Sequence, residues 1–181
     1  AAARMFSPPI QCTPQLSYGN STSSGGGGSA GGGGGNQPLT GRISVLMAAR
    51  SISSLVFPST RQKGSIVIED VAVTIPFPKV VRTANLSATV GSVLYDEAGR
   101  VAKWTIGKLD EKKRPQLTGT MVLDGTGRPE ENPSLTVEWK IPLASVSGLA
   151  VSGLSMSGES YKPYKGVRNI AKSGRFQIRC S

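Results

Sequence analysis

Histidine is missing from this 181-residue chain. With it go the usual general base near neutral pH and the commonest metal-binding side chain. Cysteine is scarce: Cys12 and Cys180 stand near opposite ends, too few and too far apart for a zinc cluster or a disulfide framework. That usage points to a reducing compartment, with a Cys12–Cys180 bridge the less favoured alternative. Acidic residues number only 11 and come mostly as neighbours: Glu69-Asp70, Asp96-Glu97, Asp110-Glu111 and Glu130-Glu131. Neighbours on a strand point to opposite faces, so such pairs do not converge on a substrate. No nucleophile lies in a pattern with a base, so the sequence argues against an enzyme and implies no cofactor. There is no apolar run of about 18 residues, the length at which a membrane-crossing helix begins to be expected. The opening Ala1-Ala2-Ala3-Arg4-Met5-Phe6 lacks the apolar stretch of a signal peptide, and the absence of an initial Met suggests a piece of a longer protein.

Against these absences stand 21 basic residues and a net charge of +10. Such a surface favours acidic partners, and the sign alone leaves nucleic acid, anionic lipid headgroups and acidic protein faces all open. From Ser21 to Gly35 the chain is almost entirely Gly, Ser and Thr. That composition cannot offset its ordering entropy by burial, so residues 21–39 are expected to be a flexible linker or loop, and the first 40 or so residues to pack little. A phosphate-cradling loop is excluded because no Gly-Lys-Ser/Thr follows.

Beyond Thr40 the pattern changes to period two. Ile43, Val45 and Met47 alternate, as do Val71, Val73 and Ile75, then Leu135, Val137, Trp139 and Ile141, and finally Phe176, Ile178 and Cys180. These runs predict half-buried antiparallel strands. Ile66 and Ile68 occupy even positions while Val71 to Ile75 occupy odd ones, so a bulge or tight turn is expected at Glu69-Asp70. Pro76 and Pro78 close one strand, and Asp96-Glu97-Ala98-Gly99 and Asp124-Gly125-Thr126-Gly127 read as turns. No helical pattern lasts three turns after Thr40. The fold class predicted is all-β, a sandwich of short strands, with Trp104 and Trp139 in its core.

Several stretches, in order, carry a family resemblance. They are Gly-Arg-Ile-Ser-Val from Gly41, Ile-Pro-Phe-Pro-Lys-Val-Val from Ile75, and Trp-Thr-Ile-Gly-Lys from Trp104. Arg-Pro-Glu-Glu-Asn-Pro from Arg128 and Val-Ser-Gly-Leu from Val146 follow. The last is Gly-Glu-Ser-Tyr-Lys-Pro-Tyr-Lys-Gly-Val from Gly158, continuing to Lys-Ser-Gly-Arg-Phe-Gln-Ile-Arg from Lys172. The set resembles the mu homology domain of clathrin-adaptor medium (mu) subunits, most of all the mu subunit of adaptor protein complex 3. Phe6-Ser7-Pro8-Pro9 and Gln15-Leu16-Ser17-Tyr18 look like a shortened strand pair of the same family.

The resemblance implies a two-subdomain antiparallel β-sandwich, incomplete on its N-terminal side. Residues 1–20 would be a remnant of the first subdomain, 40–143 the inserted second subdomain, and 144–181 the final strands of the first, cargo-binding one. Family members recognise Tyr-x-x-Φ sorting signals on the cytoplasmic tails of membrane cargo. They do so within a heterotetrameric adaptor complex on coated vesicles and on Golgi and endosomal membranes, in transport toward the lysosome or vacuole. The signal adds a strand to a sheet edge, and side-chain pockets select it. Matching positions here are Gly166, Val167 and Arg168 on the edge, with Val151, Leu154 and Val167 lining the Φ pocket and Arg168 packing on the tyrosine ring. The rest of the tyrosine pocket would come from a strand before Ala1, so the isolated chain is expected to bind such a peptide weakly or not at all.

Each of these residues also has a plainer reading: Val151, Leu154 and Val167 as core, Gly166 as a turn glycine, Arg168 as one solvated charge. Lys162, Lys165, Lys172 and Arg175 are candidates for contact with anionic lipid. Two other functions compete. A mu-homology adaptor of another coat or an endocytic factor would keep the fold and change the cargo. A basic β domain for single-stranded nucleic acid would need exposed aromatic platforms, for which only Tyr161 and Tyr164 qualify, and nucleic acid is not the expected partner.

Overall fold

The computed structural model describes residues 8–19, 39–50, 68–124, 129, 132–142, 151–161, 164–166 and 170–180. Among them run nine strands and no helix: β1 (Ile10–Tyr18), β2 (Leu39–Ala49), β3 (Ile68–Pro76), β4 (Val81–Ala88), β5 (Ser92–Asp96), β6 (Val101–Leu109), β7 (Gln116–Leu123), β8 (Ser134–Pro142) and β9 (Ile170–Arg179). They form two antiparallel sheets, one ordered β1-β2-β7-β4 and the other β5-β6-β3-β8-β9. The all-β sandwich expected from the alternation is the fold observed.

Period two decides which side chains meet between the sheets. On β2, Ile43, Val45 and Met47 are buried while Arg42 and Leu46 face outward. On β8, Leu135, Val137, Trp139 and Ile141 point inward. Each such side chain contributes on the order of 1.5–3 kcal/mol by leaving water. Trp104 is fully buried at the centre, and its indole N–H donates to the Val90 carbonyl at 2.9 Å, so the ring is buried without an orphaned donor. Trp139 meets Phe176 edge-on, with ring centroids 5.4 Å apart. Gly174 lies opposite Trp139 in the ladder, and a Cβ there would occupy the space of the indole ring.

The parity change at Glu69-Asp70 is a β-bulge. The register of β3 against β6 shifts between Ile68 and Val71, and Asp70 takes φ 51°. One extra residue resets the alternation, so Ile68 and Val71 are both buried although they differ in parity. Across the ladder, Val71 faces Gly107, whose φ of 80° suits a residue without a side chain. The Asp96–Gly99 turn is also present: Asp96 Oδ1 accepts from the Ala98 N–H at 3.1 Å and the chain returns into β6.

The N-terminal stretch departs from expectation. Residues 10–18 were expected to pack little, yet they form β1, paired with β2 from Ile10↔Ala49 to Tyr18↔Gly41. Ile10 is buried, and so is Cys12, which the composition had placed in a loose region. The even-numbered apolar residues Ile10, Cys12, Leu16 and Tyr18 supply an inward face, interrupted by Pro14 and obscured by the glycine run that follows. Pro14 is tolerated because β1 is an edge strand, where a missing N–H breaks no ladder bond on the outer side. The Gly-rich run at 21–35 and the turn residues Gly125, Thr126 and Gly127 lie outside the described residues.

Candidate peptide-docking site

After β8 the alternation stops. From Val151 to Tyr161 every residue is exposed and none belongs to a strand. Val151 is 54% exposed, Leu154 53%, Met156 50% and Tyr161 62%. Their spacing explains this: positions 151, 154 and 156 share neither strand parity nor helical periodicity, so no single element turns all three inward. The core reading of Val151 and Leu154 therefore does not hold in this structure. They stand exposed in a stretch otherwise made mostly of serine and glycine. Met156 was not singled out in the sequence, because one methionine among serines and glycines gives no periodic signal.

A second short segment returns beside the first. Lys165 Nζ donates to the Leu154 carbonyl at 3.1 Å, which brings residues 164–166 alongside 151–156. Tyr164 is 99% exposed, and its ring lies 3.4 Å from where a Cβ on Gly166 would sit. Gly166 itself is exposed. Val167, Arg168 and Lys162 lie outside the described residues, as does the side chain of Lys172. From Ile170 the chain enters β9, which pairs with β8 alone among the described strands, leaving its other border without a ladder.

Among the basic candidates, Arg175 points outward from β9 and its Nε lies 3.6 Å from Glu138 on β8. Both side chains are more than half exposed, so the pair contributes little to stability. Lys165 is placed by its bond to Leu154 rather than on the same sheet face. Arg175 also borders an open trough of about 590 Å³ on the outer face of the second sheet, floored by Ala72, Thr105 and Gly107 and edged by Lys103, Glu138 and Lys140. The bulge and Gly107 shape that trough, which sequence spacing did not show.

Burial pushes the Cys12 thiol up to about 12, reinforced by the neighbouring Cys180, and burial pushes Cys180 up to about 11. Both remain protonated thiols at neutral pH, and neither is bridged. Tyr18 is likewise pushed up to about 12, first by burial and then by Cys180. No group of three or more metal-ligating side chains occurs among the described residues.

Comparison with known proteins adds three findings. Residues 37–180 match the model of the adaptor complexes medium subunit family. The chain is 36% identical over 172 residues to the AP-3 complex subunit mu of Dictyostelium discoideum, covering 94% of this chain and 35% of that protein. It is 46% identical over 113 residues to the human AP-3 complex subunit mu-1, covering 62% of this chain and 27% of that one. The AP-1 complex subunit mu of Diplobatis ommata is 44% identical over 114 residues. The chain thus spans about a third or less of the length of these relatives. In structure it resembles the Fcho1 mu homology domain of Danio rerio, solved with a bound Eps15 peptide. The TM-score is 0.51 at 14% identity over 96% of this chain and 51% of that one, a likeness of fold.

Proposed function

This chain belongs to the adaptor complexes medium subunit family, and from that premise we propose that it serves a vesicle-coat adaptor by recognising Tyr-x-x-Φ sorting signals. One observation carries the reading. Val151 and Leu154 stand half-exposed, and the Lys165–Leu154 bond ties their segment to the residue before Gly166. An extended peptide would lay its backbone against the Gly166 edge and its Φ side chain against Val151 and Leu154. Val167 and Arg168, next in sequence, complete the edge in this reading, with Arg168 covering the signal's tyrosine. Its partners would be cargo tails and the other subunits of an adaptor complex, at the cytoplasmic side of Golgi and endosomal membranes. It works by binding, without catalysis.

Because the chain spans only part of its relatives, the test uses the full-length subunit. A fluorescent Tyr-x-x-Φ peptide is titrated by anisotropy against the same peptide with its tyrosine replaced by alanine. Binding that requires the tyrosine, and that weakens about tenfold or more in Leu154→Asp, a loss of about 1.4 kcal/mol, is the expected result. Equal binding of both peptides removes the proposal. Lys162, Lys165, Lys172 and Arg175 are proposed to add attraction to anionic lipid, roughly 1 kcal/mol for each one near the surface. Flotation with liposomes that does not change with anionic lipid content excludes this part.

A further inference from the structure

The exposed stretch carries serines at 152, 155, 157 and 160. An extended, fully exposed segment is the form in which a protein kinase takes its substrate. One of these serines differs from the others. Ser155 directly follows Leu154, whose carbonyl accepts from Lys165 Nζ at 3.1 Å, so an ammonium is bonded to the peptide unit that joins the two. Ser157 and Ser160 lie closer to Glu159, the one acidic residue between Leu143 and Ser181, where a second negative charge is disfavoured.

We propose that Ser155 is a phosphorylation site whose phosphate is held by Lys165 and closes the peptide edge at Gly166. This deepens the cargo-binding reading and rests on it. The γ-phosphoryl group of a nucleoside triphosphate passes to Ser155 Oγ. The new O–P bond forms as the bond to the β,γ-bridging oxygen breaks, the hydroxyl proton goes to the kinase's base, and a nucleoside diphosphate leaves. The phosphate brings about −1.5 to −2 charges and three strong acceptors. Lys165 then exchanges a neutral carbonyl for a charged partner, tying residue 155 to the residue before Gly166. The new charge also sits next to Val151 and Leu154, and an incoming apolar Φ side chain would have to strip water from it.

The test installs phosphoserine at position 155 of the full-length subunit. Phosphorus NMR follows the second ionisation of the phosphate, which lies near 6 when free. A value lowered by about half a unit or more, returning toward 6 in Lys165→Gln, is expected. A titration indifferent to Lys165 overturns the latch. Affinity for the Tyr-x-x-Φ peptide is expected to fall about tenfold on phosphorylation, and unchanged affinity overturns the closure. If the unmodified subunit itself fails to bind the peptide, the cargo reading and the closure fall together, while the phosphorus titration still decides the latch separately. Incubation of the full-length subunit with cytosol and ATP, followed by mass spectrometry, should place phosphate on Ser155. Phosphate found only on other residues overturns the assignment.

Discussion

The paired sheets and the segment from Val151 to Gly166 use apolar residues in opposite ways. In the sheets, every second residue is apolar and disappears between the layers, as Ile43, Val45 and Met47 do on β2. In the segment, Val151, Leu154 and Met156 are just as apolar but remain about half exposed. Hydrophobicity by itself does not distinguish the two. What does is whether consecutive apolar side chains share a face, because only then can one element bury them together. The sheets therefore hold the stability of the chain, and the segment leaves its apolar side chains in water.

The sharpest way to break this contrast is to truncate one residue from each region and compare urea unfolding. Trp104→Ala should cost about 3–5 kcal/mol, since it empties the centre of the sandwich and strands the Val90 carbonyl. Leu154→Ala should lie within about 0.5 kcal/mol of the parent. A Leu154 cost rivalling that of Trp104 would show that the segment belongs to the core after all. A smaller effect should come from pH. Cys12 titrates near 9 when unfolded and near 12 when folded, so the folded state retains its proton longer. Its contribution is intact below about pH 9 and is lost as pH rises toward 12, at up to about 1.4 kcal/mol per pH unit for one proton. Thermal melts from pH 8 to 11 should show the decline, and Cys12→Ala should make it shallower, leaving the part due to Cys180 and Tyr18. A decline identical in parent and Cys12→Ala would place Cys12 in water. A small effect is also expected at Arg175→Gln. Its exposed pair with Glu138 should contribute no more than about 1 kcal/mol, measured by the same unfolding titration.

These contrasts also mark what the sequence made legible. Alternation placed β2, β3 and β8 and put Trp104 and Trp139 in the core, because period two is written directly in residue order. The bulge at Glu69-Asp70 was readable for the same reason: a parity break leaves a visible trace. Alternation did not show β1, since Pro14 interrupts its inward face and its partner β2 lies beyond the glycine run; only the family resemblance read Gln15 to Tyr18 as strand. Pairing across so long a connection leaves no local signature. At the candidate site, residue identities came from family resemblance. The approach of Lys165 to Leu154 is a contact across eleven positions that no spacing rule predicts. Met156 and the trough over Ala72 and Gly107 were invisible for a similar reason, because exposure and concavity belong to the assembled surface.

Pro14 has one more consequence. Outermost strands invite stray chains to dock on them, and sandwich proteins survive crowded cells only if those borders are guarded. A ring nitrogen midway along β1 puts a gap in its row of donors, so a foreign strand cannot fasten there along its full length. On β9 no proline interrupts the border. Among the described strands the two borders therefore differ in their backbone donors: β1 has a gap at Pro14, and β9 has none between Ile170 and Arg179.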